Sequence, residues 1–220
     1  SDLYTSIEDG KTYVYVSQAD GNQISQLELI DNGNGRVTAE EVRRLTLPIP
    51  EGGELGDAQI EGMVVDRETG ILYAGQEEVG VWKFDAEANG NTEPTVVDEV
   101  GEVLQADVEG LTIYYGGDGS GYLLVSSQGD STFAVYDRQG DNQYIGSFFI
   151  GGSENIDGAE ESDGADVINV SLGDFDSGLL VVQDGGNEPE AVQQDPEDGE
   201  IQNYNTNFKF VPWEIGRAHV

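Results

Sequence analysis

Residues 107–126 open with Asp107-Val-Glu-Gly-Leu-Thr-Ile-Tyr-Tyr, pass through Gly116-Gly-Asp-Gly-Ser and resume at Gly121-Tyr-Leu-Leu-Val-Ser. An acid and a glycine, an apolar run, a glycine-rich turn and a second apolar run make one unit. The same unit precedes it as Glu61-Gly-Met-Val-Val-Asp, a turn, then Gly70-Ile-Leu-Tyr-Ala, with Val81-Trp-Lys-Phe beyond. It follows again as Asp163-Gly-Ala-Asp-Val-Ile, a turn, then Gly178-Leu-Leu-Val-Val, ending at Gln183-Asp184. Leu3-Tyr, a turn and Gly10-Lys-Thr-Tyr-Val-Tyr-Val form a worn copy upstream. The repeated acids Glu61, Glu109 and Asp163 stand 48 and 54 residues apart. Strand units recurring at roughly 40–50 residues are the sequence signature of a β-propeller, and a β-sandwich would lack the periodic acid-glycine start.

The rest of the chain has the same all-β texture. Further strands are expected at Tyr13–Val16, Ile24–Leu29, Phe133–Tyr136, Tyr144–Ile150 and Val167–Leu172. Thirty-one glycines suit tight turns and oppose long helices. Ala39–Leu45 is the best helical candidate and reads equally well as strand. Residues 188–206, acidic and without an apolar period, read as a long surface loop.

Composition removes many chemistries. The 220 residues carry 44 acids and nine bases, a net charge of −35. Binding to a nucleic-acid backbone or an anionic membrane is excluded on charge, and multivalent cations are favoured. A hydrophobic content of 37% is too high for a disordered acidic tail. No apolar run is long enough to cross a membrane as a helix. Cysteine is absent, and the one histidine is His219 in the segment 215–220, which reads as the translation of a sequencing adapter. Serine triads, cysteine dyads and histidine- or cysteine-ligated zinc are thereby excluded within this chain. Chemistry must run on carboxylates, amides, hydroxyls and a hard cation.

If equivalent positions of each repeat share a radius and height, Glu61, Glu109 and Asp163 converge, with a second row from Gln76-Glu77, Gln128 and Gln183-Asp184. Facing carboxylates need a counter-charge, and Ca²⁺ accepts six to eight oxygen ligands at irregular geometry. The alternative, turn acids on a solvated rim, stays open on these grounds.

These motifs, with Tyr136-Asp-Arg-Gln-Gly, Gln183-Asp-Gly-Gly-Asn and Asn207-Phe-Lys-Phe-Val-Pro-Trp, closely resemble the β-propeller phytases from about Leu3 to Trp213. The resemblance implies a six-bladed, calcium-dependent, secreted 3-phytase that removes phosphate from myo-inositol hexakisphosphate (phytate) or other inositol phosphates. It implies a monomer when full length. Glu61, Glu77, Glu109 and Asp163 match acids that hold the catalytic calcium cluster. Asp107, Glu109 and Gln128 match ligands of calcium inside the channel. Asp157, Asp184 and Asn187 match ligands of a structural calcium. The mechanism implied is in-line attack by metal-activated water.

Six blades need roughly 300 residues. The chain is therefore expected to hold about four blades, a partial propeller over 1–214, as a C-terminal fragment opening inside a blade. The family's substrate lysine falls near Ala19, where there is none. The rival reading is a calcium-stabilised accessory domain without catalysis. Among other residues, Arg43-Arg44 read as a solvated face, Trp82 and Trp213 as core, and Gly116–Gly121 as a hairpin turn. Asn169-Val-Ser matches a glycosylation acceptor inside a strand pattern. The acidity and few lysines point to a salt-tolerant source.

Overall fold

The computed structural model describes residues 1–194, 199 and 201–213. The adapter-like segment 215–220 lies outside them. The chain forms two compact units, Ser1–Leu111 and Thr112–Val220, with the division falling inside one strand.

In the first unit, β1 (Asp2–Thr5), β2 (Thr12–Ser17), β3 (Gln23–Asp31) and β4 (Val37–Thr46) make one antiparallel meander. A second comprises β5 (Ile60–Asp66), β6 (Ile71–Gln76), β7 (Gly80–Asp85) and β8 (Thr95–Glu99). A third is formed by β9 (Val108–Tyr115), which crosses the division, with β10 (Gly121–Ser127), β11 (Thr132–Asp137) and β12 (Tyr144–Phe148) of the second unit. The second unit also holds a three-stranded sheet of β13 (Ala165–Ile168), β14 (Leu179–Asp184) and β17 (Asn207–Pro212), and the hairpin of β15 (Val192–Gln194) and β16 (Ile201–Asn203). That hairpin lies in the segment expected to be an unbroken loop. The ambiguous segment Ala39–Leu45 resolves as strand, paired along β3.

The period-2 alternation of side chains explains the cores. Tyr13 and Tyr15 of β2 point the same way and are buried with Tyr4, Ile24, Leu72 and Trp82 in a core shared by the first two sheets. In the second unit Leu124, Phe133, Leu180, Val182 and Trp213 form a separate core. Trp82 and Trp213 are therefore packing residues; Trp213 also stacks on Tyr114 with ring centroids 4.4 Å apart.

The repeat's mid-turn glycines have a steric cause. Gly121 and Gly178 adopt φ of +144° and +121°. A Cβ at either position would lie 2.1 Å from a carbonyl oxygen of the preceding strand, that of Tyr114 or Ile168. Only glycine combines that dihedral with that approach.

Two expectations are corrected. The sequence periodicity encodes meanders of four strands, each satisfied by its own hairpin hydrogen bonds, and not a closed ring. Among the described residues the sheets remain separate, with no strand pairing between them, so the fold is all-β without propeller closure. A repeated strand pattern specifies pairing within a sheet; closure needs pairing or latching between sheets, which the pattern does not carry. Nor does the first sheet open inside a blade: β1 begins at Asp2 and completes a four-stranded sheet. Locally, Val167–Leu172 is strand only to Ile168, and Asn169 lies beyond it with its amide donating to the Tyr115 carbonyl at 2.5 Å. Arg43 is buried, not solvated; it donates to Gln26 and to the carbonyls of Asp85 and Asn91, while Arg44 pairs with Glu41 outside.

Polar groups tie loops to these cores. Glu87, buried after β7, accepts from Tyr4 Oη at 2.5 Å and from Ser6 Oγ. Burial and that hydrogen bond push the Tyr4 hydroxyl up to about 12.

Gly62, the glycine of the first acid-glycine start, has the closest approach of all. A Cβ there would meet the Glu109 carbonyl oxygen at 2.0 Å. Gly62→Ala should therefore force β5 away from β9 and cost about 1–3 kcal/mol. Urea unfolding would register this as a lowered midpoint; an unchanged midpoint would show that the approach is not a constraint.

Candidate active site

A backbone ladder assembles one group of acids in the first unit. The Glu77 N–H donates to the Gln59 carbonyl at 3.1 Å, and the Val108 N–H donates to the Glu77 carbonyl at 2.9 Å. The start of β5, the segment after β6 and the start of β9 are thus laced side by side, carrying Glu61, Glu77, and Asp107 with Glu109. Gln76 anchors the ladder from behind. Its amide donates to the carbonyls of Pro48 and Ala58 and accepts from the Trp82 indole at 3.0 Å. Gln76 is fully buried and spends its bonding capacity in the core, which leaves the next residue, Glu77, at the surface end of the strand.

The electrostatics follow from this crowding. Burial first, then the negative fields of Asp107, Glu61 and Glu78, holds the Glu77 carboxyl above the usual carboxylate range. Glu61 is exposed and fixed by Gln59, whose Nε2 donates to Glu61 Oε1 while its Oε1 accepts the Asp20 N–H at 3.2 Å. Gln59 and Glu61 line a cleft of about 380 Å³ with Ser17, Gln18, Ala19 and Asp20. No cationic side chain is among those lining residues. Sequence reading missed Gln59, because a lone glutamine two residues before an acid has no distinguishing pattern.

In the second unit, Asp163 is held by Gln128, whose Nε2 donates to Asp163 Oδ1 at 2.6 Å, and by Gln183, whose Oε1 accepts the Asp163 N–H at 2.8 Å. Asp157, Asp184 and Asn187 come together around Lys209, another residue not singled out as a site residue. Among the described residues, no group of three or more Asp, Glu or His is placed closely enough to hold a metal ion. In the first unit Asp107 and Glu61 act electrostatically on Glu77.

The acid ladder and the cleft are built of carboxylates and amides, in a chain without cysteine. The chain belongs to the Phytase family, whose model matches residues 1–219. A 3-phytase of Bacillus subtilis is 41% identical over 220 residues, which are 99% of this chain and 52% of that protein. The chain spans about half the length of this curated relative. Among solved structures, a candidate 6-phosphogluconolactonase of Bacteroides uniformis superposes with a TM-score of 0.47 at 11% identity, covering 91% of this chain and 55% of that one. Kluyveromyces lactis Hsv2 gives 0.35 at 14% identity, covering 94% and 72%. Neither likeness is close enough to support an argument.

The raised Glu77 pKa sets a pH dependence. An acid whose pKa is higher folded than unfolded weakens the fold when ionised, and the loss is removed as pH falls through the folded value to the unfolded one. In chelator at pH 7, Glu77→Gln should be more stable than the parent. The gap should close below about pH 4, where the parent's glutamate is protonated in both states. Thermal unfolding across this range checks it; a variant less stable at pH 7 would refute the reading.

Proposed function

We propose that this chain serves calcium-dependent hydrolysis of phosphate monoesters, with phytate or another inositol phosphate as substrate, in a secreted enzyme. Membership of the Phytase family supports the hydrolase class. The observation that carries the metal requirement is Glu77, whose charge is opposed by burial and by three neighbouring acids. A hard divalent cation is the counter-charge such oxygens fit, and Glu61, Glu77, Asp107 and Glu109 are the residues that would hold it. Gln128 and Asp163 are proposed as ligands of the same enzyme from the second unit.

When bound, calcium supplies electrostatic stabilisation of phosphate oxygens and lowers the pKa of water. The chain's own part is positional. Gln76 and the backbone ladder hold Glu77 at the strand end, and Gln59 orients Glu61 against the cleft wall. The cleft itself repels phosphate, since Asp20 and Glu61 line it without a base. Substrate recognition by the protein alone is thus disfavoured at this wall.

Ala19 favours a second reading, a calcium-stabilised binding domain without turnover, because it lines the cleft where the family resemblance expects a lysine. Phosphate release from phytate, measured with calcium and after chelation, separates the two. The enzyme reading expects release with calcium and none with chelator, and at least a 100-fold loss in Glu77→Gln. Phytate binding without release in saturating calcium would support the second reading. Release that survives chelation would refute both metal readings.

A further inference from the structure

Lys209 stands at the centre of the three residues that the family resemblance assigns to a structural calcium. Its Nζ is 2.5 Å from Asp157 Oδ1, 2.9 Å from Asn187 Oδ1 and 2.9 Å from Asp184 Oδ2. The first two contacts are hydrogen bonds; the third is an ion pair outside good hydrogen-bond alignment. The remaining oxygens are engaged too. Asp157 Oδ2 accepts the Glu188 N–H at 2.6 Å, Asp184 Oδ1 accepts the Glu160 N–H at 3.1 Å, and Asn187 Oδ1 also accepts from Asn207 Nδ2 at 2.6 Å.

The donor set does not fit an additional divalent ion at its centre. Calcium takes six to eight oxygens at about 2.3–2.6 Å, and here the point shared by the three side chains is filled by a nitrogen. The surrounding strand is organised for that nitrogen. Along β17 the alternation is inverted: Phe208 and Phe210 are 63% and 62% exposed, whereas Lys209 is 7% exposed. A strand that turns two phenylalanines outward to bury an ammonium does so only where the ammonium has fixed anionic partners. Asp184, on the paired strand β14, is 1% exposed and supplies one.

We infer that Lys209 is the resident cation of this cluster, and that Asp157, Asp184 and Asn187 form an ammonium site in place of a structural calcium site. The ammonium joins β17 to the end of β14 and to the loop carrying Asp157. This assignment is independent of the proposed activity and of the first-unit acids.

The test is the thermal midpoint of the chain and of Asp157→Asn, each with chelator and with millimolar calcium. The ammonium site predicts that Asp157→Asn lowers the midpoint by about 3–6 °C in chelator, and by no more than that in calcium. No fall in chelator, or a fall enlarged by calcium, would overturn it. Lys209→Met adds a second readout. Its midpoint should fall in chelator and recover with calcium by more degrees than the parent gains, because the vacated oxygens become available to the ion. An unchanged midpoint in chelator, or a calcium response no larger than the parent's, would overturn the assignment. If Lys209→Met does not fold, Asp157→Asn decides.

Discussion

Counter-charge is the constraint on which the structure depends. A chain at −35 can bury a carboxylate only where a fixed partner answers it. Three sites show three answers. Glu87 is met by the hydroxyls of Tyr4 and Ser6. Asp157 and Asp184 are met by the Lys209 ammonium, where hydrogen bonds outweigh the burial that would lower the lysine's pKa and drive it upward. Glu77 is opposed by burial and by Asp107, Glu61 and Glu78, and its carboxyl is raised accordingly. The difference between satisfied and strained acids separates structural positions from the candidate active site.

Much of the local fold was legible because it is steric. Acid-glycine starts and mid-turn glycines mark where strands begin, and Gly121 and Gly178 face carbonyls that exclude any side chain. Trp82 and Trp213 read as core and are buried. Ring closure was not legible, since a periodic strand pattern contains only the pairing within each meander. Arg43 was misread because its neighbours Glu40 and Glu41 suggested an exterior face. Its burial depends on Gln26 across the sheet and on distant carbonyls that no local pattern reveals.

The site was legible as residue types more than as an arrangement. Glu61, Glu77 and Asp107 do interact, and Gln128 does hold Asp163, but Gln59 and Lys209 emerged only from side-chain geometry. Lys209 had left one trace: a base flanked by two aromatics in a strand, where alternation must expose either the lysine or both rings. Choosing correctly required knowing that Asp184 lay on the adjacent strand.

The most direct test of the counter-charge account is a calorimetric titration of calcium into the chelated chain and into Glu77→Gln. The account predicts that the parent's strongest calcium-binding step disappears from the variant. An isotherm unchanged by the substitution would contradict it.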